Sequence, residues 1–437
     1  MATERTHPAW PIPFAAALLL WPALWNGYPI VFADTGTYLS QAIHRYIGWD
    51  RPPFYSLAIL CLHGTVTTWP VVVAQALITA WVLRLSIAAA WPGLDERWLP
   101  VLVLPLALGT WLPFLVSELT PDVFTPLLVL GWVTAGGAGP HTAGGHRWLP
   151  ILIAFAIAAQ QSSLLLTLAL LPVLIGLHPK GWRAIMLPPA FAIAALVAVN
   201  LAGHGRAAIA PFGQVFLLAR VIYDGPGLAV LRRDCPEAGW RLCPYRDRLP
   251  PTSDDFLWQA DSPIVLAGGH KTIAAEANAI IAAAILSAPG QEARATLANA
   301  AEQITRFASG DGLESWPNQV TPWIARDFPP REAAAYAAGL QANGRLAVPS
   351  WLGALHQLIA LTGIAVAAIL LPLTWRRDRR AAHGLLIALL VLPLSAAITG
   401  GLSTPHDRYQ SRIAWIPAWI AALSLGTATG APMVRRA

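Results

Sequence analysis

Three carboxylates and a few arginines carry most of the chemical potential in this chain. Asp34 stands in "FADTGTYLSQAIHRYIGWDRPPFY", and Glu118 and Asp122 stand in "LVSELTPDVFTP". Arg51 opens "RPPFY", while Arg408, Tyr409 and Arg412 fall in "STPHDRYQSRIAWIP". All lie beside apolar runs. Charge there is costly, so acids gathered at one membrane mouth point to a binding or catalytic site. A carboxylate can take a proton from a hydroxyl, and a planar guanidinium offers paired donors to a phosphate. Gln160 and Gln161 open "QQSS", a polar step between apolar runs that could edge the same cavity or form a plain turn.

Plainer readings stand beside these. Asp34 precedes a helical pattern and could cap it through the N–H of Gly36 or Thr37. Asp122 follows Pro121, the favoured first helical position, so a helix dipole alone could stabilise it. Glu118 has no such compensation and is expected to face a cavity or a cation. Arginines at a boundary, Arg206 and Arg220 included, often only meet lipid headgroups.

The elements that must position these residues are apolar. Of 437 residues 56% are hydrophobic and 12% charged, against roughly 25% charged in a soluble domain. The chain therefore reads as an all-α polytopic membrane protein. The net charge of +6 comes from arginines between apolar runs, which suits membrane orientation and argues against a nucleic-acid partner. Tryptophans such as Trp10, Trp69, Trp98, Trp148, Trp351 and Trp375 flank the runs, where interfacial rings belong. The run 11–25 ends in bulky "WNGYPI" and reads as a retained first span, not a cleaved leader.

Starting with Arg5 inside, the pattern predicts about ten spans. They fall near 10–26, 70–91, 98–116, 122–136, two short ones in 148–177, then 184–202, 351–375, 384–402 and 412–428. This path puts the basic loops 178–183 and 375–380 and both termini in the cytoplasm. It leaves Asp34, Glu118 and Asp122 together on the outer side. Three units follow: an N-terminal membrane module (1–202), a helical periplasmic domain (203–350) and a C-terminal membrane module (351–437). Cys235 and Cys243 lie in the exported unit, so a disulfide is expected, and without paired His or a second CxxC they do not read as a zinc site. The glycines at 136–145 lack a following GK[ST] and read as a cytoplasmic loop.

At these residues the chain resembles the GT-C superfamily of membrane glycosyltransferases, most of all its protein mannosyltransferase-like and lipid A aminoarabinose transferase-like members. Asp34 followed by "RPPFY" matches that family's acidic first outer loop and basic-Pro-Pro-aromatic element. "SELTPD" (117–122) matches its second acidic motif, and Arg408, Tyr409 and Pro417 match its late Arg-Tyr and Pro. The family's Lys near the short-span turn has no counterpart by "QQSS". The resemblance implies sugar transfer from a polyprenyl-phosphate donor to an envelope acceptor at the periplasmic face of a bacterial inner membrane. Asp34 would be the base, and Glu118 and Asp122 would orient the acceptor or hold a divalent ion. A divalent cation, Mg or Mn, would sit near Asp34 and Asp122. Arg51, Tyr55, Gln160, Gln161, Arg408, Tyr409 and Arg412 would bind the donor, with membrane lipids around them. A lipid or oligosaccharide flippase, a solute transporter and a non-catalytic envelope assembly protein remain the rival readings; a transporter would more often carry polar, broken helices near the midplane and paired halves.

Overall fold

In a computed structural model of the chain, residues 10–92, 94–137 and 146–428 are described. Arg5, most of the glycine-rich loop and the C-terminal arginines, on which part of the expected orientation rests, lie outside them. Every regular element among the described residues is a helix. In order these are α1 (Pro11–Leu19), α2 (Trp21–Asn26), α3 (Thr35–His44), α4 (Phe54–His63), α5 (Trp69–Ala90), α6 (Leu99–Gly109), α7 (Leu112–Ser117) and α8 (Phe124–Gly137). Then come α9 (Leu149–Ala159), α10 (Gln161–Leu177), α11 (Trp182–His204), α12 (Gln214–Tyr223), α13 (Pro226–Asp234), α14 (Ser253–Trp258), α15 (Pro263–Leu266), α16 (His270–Ser287) and α17 (Pro289–Thr305). The last are α18 (Pro317–Asp327), α19 (Pro330–Ala338), α20 (Ser350–Thr374), α21 (Arg379–Leu402), α22 (Asp407–Ser411) and α23 (Ile416–Ala428).

Four of these are long and apolar enough to cross a membrane: α5, α11 with the short turn before it, α20 and α21. The number reaches six if each of two sharply bent pairs, α12 with α13 and α16 with α17, is one span. Both pairs lie in the stretch expected to be exposed to water. The other expected spans are helical but short or broken. The first divides at Leu20, one residue before Trp21-Pro22, and the third divides at Thr110–Trp111 before Pro113. A proline lacks the N–H that would continue the ladder, so helices end and restart at such steps. The run 149–177 parts at Gln160, whose extended backbone (φ −145°, ψ 119°) separates α9 from α10.

Two apolar cores form. The larger gathers α1, α5 to α10, α21 and α23, and it also takes in Leu313, Val320, Ile324, Phe328, Tyr336 and Leu346 from the long segment before α20. The smaller is built from residues 212–284, with Val215, Phe256, Ile273 and Ile280 fully buried. Cys235 and Cys243 belong to it and are joined by a disulfide.

The chain after α2 is pinned on two sides. Ile30 exchanges backbone hydrogen bonds with Ser117 and Leu119, forming an isolated parallel bridge with Glu118. On its other side the Gln341 amide accepts from Val31 N at 2.9 Å and donates to Val31 O at 2.7 Å, in the manner of a neighbouring strand. The buried Glu332 carboxylate accepts from the Tyr28 hydroxyl (2.8 Å) and from Thr68 N (2.8 Å) and Oγ1 (2.9 Å). A buried carboxyl group held by such donors fixes its surroundings, because removing one would leave a buried polar atom without a hydrogen bond. Asp34 and Glu118 are thus carried on one stitched ribbon.

Candidate functional site

The stitched ribbon, the α7–α8 connection and the start of α22 meet at one cavity of about 500 Å³. Asp34, Arg51, Asp122, Gln160, Gln161, Arg408, Tyr409 and Arg412 all line it. These residues come from five separate stretches of the chain.

Asp122 is buried. Its side chain is 4% exposed and accepts from Arg408 Nη2 (2.8 Å), Arg412 Nη1 (3.3 Å) and Gln160 Nε2 (2.6 Å). Gln160 is fixed in turn by Thr125, whose hydroxyl donates to its Oε1 at 2.8 Å. Gln160 therefore organises Asp122, and Asp122 organises the two arginines. Arg412 is almost wholly buried, and its Nε has no partner among the described residues. That N–H is enclosed without a partner, which is a cost carried by the packing around this site.

Arg408 is held from behind. Its guanidinium carbon lies 3.6 Å from the Phe32 ring centre, and its backbone N donates to Asp311 Oδ2 at 2.9 Å. Phe32 can come this close because residue 312 is glycine. Gly312 has a φ of 90°, and a Cβ there would stand 2.6 Å from the Phe32 ring. The neighbouring backbone is gripped as well. Gln303 Nε2 donates to His406 O and its Oε1 accepts from His406 N, each at 2.8 Å, while Asp407 Oδ1 accepts from Ala308 N at 2.7 Å.

Asp34 is placed differently from the capping expectation. It occupies the residue before α3, but its backbone is already helical (φ −76°, ψ −16°) and its side chain makes no cap. Instead Oδ2 accepts from Arg51 Nε (3.1 Å) and Nη2 (2.7 Å). Oδ1 takes no hydrogen bond from any described residue. One oxygen is anchored and the other is open, which is the geometry a positioned base requires.

Two expected residues stand off the cavity wall. The Tyr55 hydroxyl donates to Gln75 Oε1 at 2.7 Å, and its ring packs edge-on against Tyr38, 5.1 Å away. It supports the wall from behind. Glu118, in the connection outside the apolar helices, receives no hydrogen bond on its carboxylate from the described residues. Burial, with the Asp122 charge adding to it, pushes its carboxyl well above the ordinary range.

Several contributors were not singled out from the sequence. Asp50 lines the cavity beside Arg51, whose Nη1 is 3.8 Å from its Oδ2, and burial raises its carboxyl despite that cation. Its adjacency to Arg51 was a usable signal. Tyr38 and Gln214 also line the wall. Phe32 and Asp311 left no signal, because nothing local ties either to Arg408.

The expected divalent cation does not fit. Asp122 is saturated by guanidinium and amide donors, and Asp34 is turned onto Arg51. Among the described residues no group of three or more His, Cys, Asp or Glu side chains could hold a metal. The polar wall instead sets Asp34, Asp50 and Asp122 against Arg51, Arg408 and Arg412. Leu164, Leu165, Leu168, Ile398 and Leu402 supply an apolar part of the same lining. Leu165, Leu168 and Leu402 are also exposed at the molecular surface, so the cavity opens onto an apolar flank. A balanced set of acids and arginines beside a greasy flank suits a ligand with phosphate, hydroxyls and a hydrocarbon chain.

No family model, curated protein or solved structure matches this chain.

Proposed function

We propose that this chain is a GT-C-like membrane glycosyltransferase that moves a sugar from a polyprenyl-phosphate donor to an envelope acceptor. In this reading about ten segments cross the bacterial inner membrane, the broken and short helices among them, with both termini cytoplasmic and the cavity at the periplasmic face. The observation that carries it is a cavity lined both by paired acids and arginines and by leucines that are exposed at the flank.

Arg408 and Arg412 receive the phosphate at the cavity wall, while the polyprenyl chain leaves along Leu164, Leu165 and Leu168. The sugar then lies between the arginines and Asp34. Asp34 Oδ1 accepts the proton of the acceptor hydroxyl as that oxygen bonds to the anomeric carbon. The bond from that carbon to the phosphate oxygen breaks, and its electron pair leaves with the lipid phosphate. Arg408 and Arg412 stabilise the developing charge, and their fixed geometry spares reorganisation at that moment. Arg51 holds the Asp34 carboxylate in its productive orientation.

The test is release of polyprenyl phosphate from polyprenyl-phosphate sugars in vesicles containing the protein. Wild type should release it with transfer of the sugar, and Asp34→Asn should insert normally yet lose roughly 100-fold or more of the rate. Undiminished turnover in Asp34→Asn rules out Asp34 as the base. Movement of the intact sugar lipid between leaflets, without bond cleavage, would favour the carrier reading instead.

A further inference from the structure

Helices α16 and α17 meet at 105° across Ala288, forming an elbow. Its buried side is accounted for. Ile273, Ala277, Ile280 and Ala284 pack into the smaller core, and Glu292 is buried against Arg220 with Oε2 2.9 Å from Nη2. Its outer side is not. Leu286, at the apex, is 81% exposed and Leu297 is 71% exposed, with Ile285 and Ile304 exposed beside them. The other outward residues near the apex are small or uncharged, from Asn278 and Ala279 through Ala282, Ser287 and Pro289 to Ala293. From Ala277 through Ala293 the only charged residue is Glu292, which is paired and buried; exposed charge returns with Arg294 and, at the far end of α17 beside Ile304, with the Glu302–Arg306 pair.

A water-facing helical hairpin would be expected to carry charge on such a surface. The elbow instead has the composition of a membrane span, broken in the middle. Its position points the same way. α17 lies across the Leu402 end of α21, one of the four span-length helices, and contacts it very closely. A Cβ on Gly400 would stand 2.5 Å from Asn299 O, and one on Gly401 would stand 3.2 Å from Thr296. The exposed face of α17 is therefore level with the end of a membrane-crossing helix. Arg294 is the first exposed charge after the apex, one turn into α17, and its stem is long enough to lift the guanidinium towards headgroups.

We infer that the α16–α17 elbow is a lipid-seated foot: its apex dips into the leaflet at the Leu402 end of α21, with Leu286, Ile285 and Leu297 among the acyl chains and the Glu302–Arg306 pair at headgroup level. The occupant of this face is lipid and not a protein partner, because the face continues from the flank of a span. The foot also bears on the cavity. Gln303, on α17, grips both backbone groups of His406, two residues before Arg408. Seating the foot thus sets the height of Arg408 relative to the headgroups. This inference stands whether or not sugar transfer is the chain's reaction.

The test uses the full chain with Cys61→Ser, which removes the free cysteine, in nanodiscs of phosphatidylethanolamine and phosphatidylglycerol. A nitroxide is attached to Leu286→Cys, and separately to Leu297→Cys in case the apex variant fails to fold. Collision with oxygen is compared with collision with a water-soluble nickel chelate, and Arg248→Cys serves as an exposed reference in the same segment. The oxygen-to-nickel ratio should be several-fold higher at 286 and 297 than at 248. Equal ratios at the three positions would place the elbow in water and overturn the inference. Shielding from both reagents would also overturn it, since a protein would then cover the face.

Discussion

Asp122 and Asp34 share one cavity but are held in opposite ways. Asp122 is closed: three donors meet its two oxygens, and one of the two arginines among them, Arg412, is itself almost wholly buried. Asp34 is half open, with one oxygen anchored to a partly exposed Arg51 and the other facing the cavity. A closed carboxylate builds a site, and an open one can act in it. The sequence ranks the two acids almost equally, while their hydrogen bonds separate them.

The largest way to break this contrast is to remove the closed acid. Asp122→Ala leaves Arg412 buried with no counter-charge, and losing one partner of such a pair typically costs about 3–5 kcal/mol. The apparent melting temperature in detergent should drop sharply, whereas Asp34→Ala should shift it far less, since Arg51 keeps Asp50 and some solvent. Equal losses for the two variants would dissolve the distinction.

A second test sets the cavity against the smaller core. The Cys235–Cys243 disulfide closes a short loop in residues 212–284, away from the acids. Replacing both with Ser should destabilise that core by roughly 2–3 kcal/mol through restored loop entropy. Local hydrogen exchange around 230–245 should rise, with exchange of α22 unchanged. A matching rise in α22 would mean that the two cores unfold together.

The smallest expected effect sharpens the place of Glu118. Its carboxyl is raised, so the folded chain binds that proton more tightly than the unfolded chain does. The resulting stability is complete below the unfolded carboxyl's value of about 4.3 and is lost as pH rises through the folded value. Wild type should therefore lose stability relative to Glu118→Gln on going from acid to mildly alkaline pH, as read from paired melting curves. Parallel curves would mean that Glu118 is not shielded.

Much of this protein was determined by its sequence. Apolar runs of span length became α5, α11, α20 and α21, because hydrophobic length is a local property. The disulfide followed from two nearby cysteines, and Asp34, Asp122, Arg51, Arg408, Arg412 and the two glutamines do line one cavity, while Glu118 stands off it. Where helices break was only half legible: prolines mark Trp21-Pro22 and Leu112-Pro113, but Gln160 breaks its run without one. Tertiary structure alone decided which acid is closed. It put Phe32 under Arg408, set Asp311 97 residues away against its backbone N, turned Asp34 from a cap into a partner of Arg51, and left the cation without ligands. Periodicity and composition report what a segment does with its neighbours in sequence. A buried charge is satisfied by whichever donors the whole fold brings within 3 Å, and those donors lie on other helices.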